Sequence, residues 1–223
     1  MKRFLFLMVI AAGFGTAAHT ETPNVDWSGF YVGGTLGFGA GDSENCDEDP
    51  CVGGAPFFPQ TNPEGAVAGV TVGYNFNLGS NWVAGVEADY SFANMSGTSV
   101  NTVTFGCGDE CRTEIGSFAT LRARAGYAFG NFLPYATVGA AVTKYDNSFA
   151  IPVLEASSST EISPVIGVGV EYKLRPNWSV KAEYLHIADP GVIRYAPSEC
   201  TPPGCAVRNN QYDVLRIGLN YHF

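Results

Sequence analysis

The stretch YDVLRIGLNYHF, residues 212–223, decides how the rest of the chain is read. Counting back from the end, the large apolar residues Phe223, Tyr221, Leu219, Ile217 and Leu215 fall on alternate positions, with His222, Asn220, Gly218, Arg216 and Val214 between them. A strand points successive side chains to opposite faces, so one face here is apolar and the other carries an arginine, an asparagine and a glycine. Soluble sheets alternate in the same way. The aromatic residue of the apolar face at the last position is the added feature and a stronger signal than alternation alone. Seven earlier segments should then repeat the pattern.

They do. Residues 178–186 set Trp178, Val180, Ala182 and Tyr184 against Ser179, Lys181 and Glu183. Residues 162–174 set Ile162, Ile166, Val168, Val170 and Tyr172 against Gly167, Gly169, Glu171 and Lys173. Segments 28–39, 65–78, 82–92 and 117–129 behave likewise, and 132–145 alternates most weakly because both its faces are small or neutral. Between the segments, the long connections 40–64, 93–116, 146–161 and 188–211 take turns with tight ones at 79–81, 130–131 and 175–177. Residues 125–143 lack charge, yet Gly126, Gly130, Asn131 and Pro134 break any helical reading of them. The outer face so drawn is expected to carry no Asp, Glu, Lys or Arg. That argues against a soluble lipocalin-type barrel, whose outside must be polar. Trp27, Trp82 and Trp178 open strands at the tight-turn end, and with Phe223 they are expected to form an interfacial aromatic belt.

Charged residues make up 15% of the chain, against roughly 25% in soluble domains. The net charge of −9 excludes a nucleic-acid partner, which needs a basic footprint. Residues 1–18 read as a signal peptide: Lys2 and Arg3, then an apolar run too short to span a bilayer, then Thr16-Ala17-Ala18 for cleavage. Residues 19–223 form the mature domain. In an exported chain the six cysteines predict disulfides, and their spacing suggests the local pairs Cys46/Cys51, Cys107/Cys111 and Cys200/Cys205. Zinc binding is the alternative, disfavoured by the absence of nearby histidines.

The closing strand resembles the C-terminal signal of Gram-negative outer-membrane barrels, and Tyr221 and Phe223 carry that resemblance. The opening stretch WSGFYVGGTLGFG, residues 27–39, resembles the first strand of the porin-like outer-membrane β-barrel family, relatives of the small A- and X-type barrels and of a surface-antigen group. The resemblance implies an all-β, eight-stranded antiparallel transmembrane up-and-down barrel with short periplasmic turns and long extracellular loops. It implies an integral protein of the bacterial outer membrane. The implied partners are lipopolysaccharide, the insertion machinery acting through the closing strand, and an extracellular ligand or host protein at the loops.

The inner face holds Glu87, Asp89, Glu171 and Glu183 with Arg122, Arg124, Lys173, Lys181 and Arg216. An eight-stranded barrel is just wide enough for side chains to fill, so these are expected to pair and plug the lumen. By height, Glu87 should meet Arg124, Asp89 Arg122, Glu171 Lys181, and Glu183 Arg216. The rival reading of the same residues is a small diffusion channel. A lipid A-modifying enzyme is a distant third, since a His/Ser constellation is missing and, beyond His19 at the start of the mature chain, only His186, near Asp189, and His222 remain after cleavage. We expect no enzyme, cofactor or metal. Asp47-Glu48-Asp49 lacks the spacing of a calcium loop. The expected role is envelope-structural, with acidic loops presented at the surface.

Overall fold

The computed structural model describes residues 25–46, 60–99, 110–150, 154–191, 193–195 and 205–223. Its elements are β1 (Gly29–Cys46), β2 (Gln60–Thr61), β3 (Glu64–Gly79), β4 (Trp82–Ser99), β5 (Glu110–Tyr127), β6 (Phe132–Ala150), β7 (Leu154–Arg175), β8 (Trp178–Ile187), β9 (Ile193–Tyr195) and β10 (Cys205–His222). Each long strand pairs antiparallel with its neighbour in sequence, and β10 returns to pair with β1, closing an eight-stranded barrel. At the seam Val32 faces Tyr221, Gly34 faces Leu219 and Leu36 faces Ile217. The short strands β2 and β9 attach to β1 and β10 respectively.

Several strands run well past their expected ends, β1 to Cys46, β5 from Glu110 and β7 from Leu154. The apolar alternation marks only the part of a strand that faces hydrocarbon, whereas ladder hydrogen bonds continue into water. Cys46, Cys111 and Cys205 therefore sit on strand ends rather than in loops. Their side chains, with Cys51, Cys107, Cys200, Asp47-Glu48-Asp49 and the segment 1–18, lie outside the described residues.

Tight turns link the other ends. At the β3–β4 turn Gly79, Ser80 and Asn81 all take positive φ, and Asn77 Oδ1 accepts the Gly79 N–H at 3.2 Å. Such mirror-image turns match the right-handed twist of the strands they join.

Outside, the barrel is apolar: Leu36, Val70, Leu121, Ile162 and Ile217 are each about two-thirds exposed or more. A soluble monomer does not leave so continuous an apolar surface to water. The outer face is not free of charge, however. Asp213 shares the face of Leu215, where it accepts a hydrogen bond from Tyr184 Oη at 2.7 Å and pairs with His186 Nδ1 at 2.8 Å. The exposed pairs Arg112/Glu114 and Lys144/Asp146 stand on the upper reaches of β5 and β6. The apolar band thus ends at the level of Asp213, inside strands that continue beyond it.

Inside, glycines admit side chains from neighbouring strands. A Cβ on Gly139 would fall on the carbonyl oxygen of Leu121 and the Cα of Arg122, which have nowhere to move. Gly34 faces outward, and a Cβ there would meet nothing nearer than the Gly69 carbonyl at 4.0 Å. Gly139→Ala is therefore expected to destabilise the refolded barrel by about 2 kcal/mol. Gly34→Ala should leave the urea midpoint unchanged, and the two midpoints measured side by side check the comparison.

Candidate functional site in the barrel lumen

Alternation places Glu87 and Asp89 of β4, Arg122 and Arg124 of β5, Glu171 and Lys173 of β7, Lys181 and Glu183 of β8, and Arg216 of β10 on the inner wall, all buried. Arg122 is the hub. Its guanidinium contacts Glu87, lies 2.8 Å from Asp89 and 2.9 Å from Glu183, and donates from Nε to Thr120 at 2.9 Å. Arg216 reaches Glu183 at 2.6 Å and Asp89 at 3.0 Å. Lys181 donates to both oxygens of Glu87, at 2.9 and 3.0 Å. Arg124 reaches Glu171 at 2.9 Å and stacks 4.0 Å from the centre of the Tyr135 ring. The carboxylates are completed by neutral donors. Tyr31 donates to Glu87 at 2.7 Å and Tyr135 to Glu183 at 3.1 Å, while Ser179 and Asn220 donate to Glu171 at 2.5 and 2.8 Å.

Not every pair follows height along the wall. Glu87 lies 3.8 Å from Arg124 but contacts Arg122, its register partner. Glu171 and Lys181 are also register partners, yet the Lys181 ammonium crosses to Glu87, leaving Glu171 to Arg124. Long side chains in a narrow cylinder reach the opposite wall, and adjacency between strands does not record that reach. Lys173 stands apart: its Nζ donates to the backbone carbonyl of Asp26 and lies 5.1 Å from the centre of the Trp27 ring. The connected set, Glu87, Asp89, Glu171 and Glu183 with Arg122, Arg124, Lys181 and Arg216, is therefore neutral.

Trp27 corrects the expected aromatic belt. It is 1% exposed, packed among Val83, Ala128 and Leu133, and its Nε1–H donates to the Gly130 carbonyl at 3.0 Å. By parity Trp27 falls with Tyr31 and Thr35 on the inner face, opposite Phe30 and Val32, so opening a strand as Trp82 and Trp178 do was not enough to place it in the outer belt. Ser28 holds this lead in place by donating from its backbone N–H and its hydroxyl to Asp26, which keeps that exposed carboxyl below its usual range. Trp82, Trp178 and Phe223 do face outward, and Tyr221 packs edge-on to both Trp178 and Phe223, at 5.2 and 5.1 Å between ring centres.

Above the charges lies a tier that the sequence reading missed. Met95, Phe118, Val165, Leu185, Tyr212 and Val214 are buried on the inner wall and form one apolar cluster. The rings of Phe118 and Tyr212 stand 5.7 Å apart, and the Tyr212 hydroxyl bonds Thr143 at 2.7 Å. Its signal was present: 165–166, 184–185 and 214–215 are apolar or aromatic on both faces, the mark of a strand buried on both sides. His186 pairs with Asp213 on the outer face, whereas Asp189 accepts the N–H groups of Gly191 and Asn210 at 3.0 and 3.2 Å. No group of three or more His, Cys, Asp or Glu among the described residues is arranged to hold a metal.

Replacing Arg122 with leucine removes one cation shared by three buried carboxylates and leaves the set with a net negative charge, and breaking such a network typically costs about 3–5 kcal/mol. The expected result is a lower melting temperature in a heat-modifiability gel. An unchanged melt would show that the carboxylates do not depend on this arginine.

Comparison with known proteins agrees with this architecture. A family model described as an outer membrane protein beta-barrel domain matches residues 4–223. The chain is 30% identical over 220 residues to a 31 kDa outer-membrane immunogenic protein of Brucella melitensis, covering 93% of this chain and 88% of that protein. It is 29% identical over 206 residues to a 25 kDa outer-membrane immunogenic protein of Brucella canis, covering 90% and 81%. In fold it is similar to the outer membrane protein OprG of Pseudomonas aeruginosa, with a TM-score of 0.59 at 14% identity, covering 88% of this chain and 97% of that one.

Proposed function

Since the chain belongs to the outer-membrane β-barrel domain family and is an integral outer-membrane protein, we propose that it serves as a sealed anchor that presents its loops at the cell surface. The observation that carries this reading is the stacking in the lumen. A neutral ion-pair tier lies beneath an apolar tier, with Trp27 packed at the tight-turn end. A passing ion would have to displace buried, mutually satisfied charges and then cross an apolar constriction. The relatives' printed description as immunogenic outer-membrane proteins supports exposure of the loops. Lipopolysaccharide and a host or other extracellular ligand are the partners this role would engage, and Tyr221 and Phe223 would be read by the insertion machinery. No reaction is assigned to the protein.

Conductance of the refolded protein in a planar bilayer, with and without reductant, tests the sealed lumen. A folded barrel without unitary currents is expected. Steady currents would move the reading to a diffusion channel. The same reading includes removal of residues 1–18 and three local disulfides. Intact mass of the membrane-extracted protein under non-reducing conditions should correspond to a chain starting near residue 19 and short of six thiol hydrogens.

A further inference from the structure

The outer wall carries a feature that the sealed lumen does not explain. Two depressions, of about 790 and 750 Å³, lie side by side on the lipid-facing surface and share Gly34 and Leu219. The first is bordered by Trp178, Tyr221 and Tyr90, the second by Tyr172, Val180 and Ile217. The register explains their course. The row Tyr172–Val180–Leu219–Gly34–Val70–Tyr90 runs straight across the sheet from β7 to β4. Strands tilt in a barrel, so such a row climbs obliquely from the tight-turn rim, with one furrow on either side of it.

Gly34 opens both furrows. Its φ is not left-handed, and a side chain there would meet no protein atom closer than 4.0 Å, so neither turn geometry nor internal packing requires a glycine. A glycine within a strand often marks close approach by another molecule. At the rim, Arg175 is the register partner of Trp178, is exposed, and forms no ion pair among the described residues. An arginine beside an interfacial tryptophan is suited to a phosphate at headgroup level.

We propose that this surface binds one diacyl phospholipid of the periplasmic leaflet, its two chains in the two furrows and its anionic headgroup at Arg175. Both furrows rise from the short-turn side, which in this family of barrels faces the periplasm. Lipopolysaccharide would approach from the opposite rim. A second barrel presents a convex wall and fits neither furrow. The proposal rests on the outer-membrane location and is independent of whether the lumen conducts.

Native mass spectrometry of the full-length protein, delipidated in detergent and titrated with phosphatidylglycerol or phosphatidylethanolamine, tests it. The wild type should take up one phosphatidylglycerol with roughly fivefold preference over phosphatidylethanolamine, the contribution of one basic residue near an anionic surface. Arg175→Gln should erase that preference. Gly34→Leu should lose lipid uptake while keeping the wild-type heat-modifiability melt. Should Gly34→Leu fail to fold, Arg175→Gln, which lies outside the lumen, still decides the headgroup. Equal uptake by folded Gly34→Leu, no headgroup preference in the wild type, or lipid-free dimers abolished by Gly34→Leu would each overturn the proposal.

Discussion

A backbone surrounded by acyl chains has no water to bond to, so each of its N–H and C=O groups must find a partner within the protein. That constraint makes the β1–β10 seam the contact on which the rest depends. Without it two long strand edges would face hydrocarbon unpaired. With it, the register running from Tyr31↔His222 to Gly41↔Tyr212 ties the two ends of the domain together across the whole apolar band. The outward row of Phe30, Phe223 and Tyr221 lies across this seam, with Phe30 and Phe223 ring centres 5.5 Å apart. Phe223 also donates its N–H to the Phe30 carbonyl at 3.0 Å. Closure and interfacial anchoring are therefore served by the same few residues.

Closing on eight strands leaves an interior one side chain deep, and its contents are sorted by chemistry. Arg122 bridges carboxylates from β4 and β8 because the lumen is narrow enough for its guanidinium to reach across it. Neutrality follows from the same narrowness, since an unmatched charge has neither solvent nor a mobile counter-ion beside it. Lys173 escapes this requirement by lying at the end, where the Asp26 carbonyl and the face of Trp27 receive it. Above the charges, Met95, Phe118 and Leu185 fill the bore with apolar volume. The two tiers fill the bore by different means, one with paired charges and the other with apolar side chains.

Much of this was legible in one sequence. A period of two, kept through eight segments with alternating short and long connections, leaves few folds open, and it also assigned the nine residues of the charged ladder to the inner wall. Three features were not legible. Strand ends were drawn short because the apolar signal stops where the membrane stops. Trp27 was placed outside because it opens a strand as Trp82 and Trp178 do, although its parity puts it on the inner face of Tyr31. Asp213 was passed over because its neighbours Leu215 and Ile217 set the character of that face, and its partners Tyr184 and His186 come from another strand.

By itself, then, the sequence determined the strands, their facing and the closed barrel in a membrane, because a strand's two faces are a local property that each residue reports through its own polarity. The sequence also placed Asp89 with Arg122 and Glu183 with Arg216. Tertiary structure alone decided that Lys181 crosses to Glu87 and leaves Glu171 to Arg124, and that Lys173 leaves the ladder. Those outcomes depend on distances across the lumen between strands remote in sequence, such as Lys181 to Glu87, and such distances arise only when the sheet curls shut.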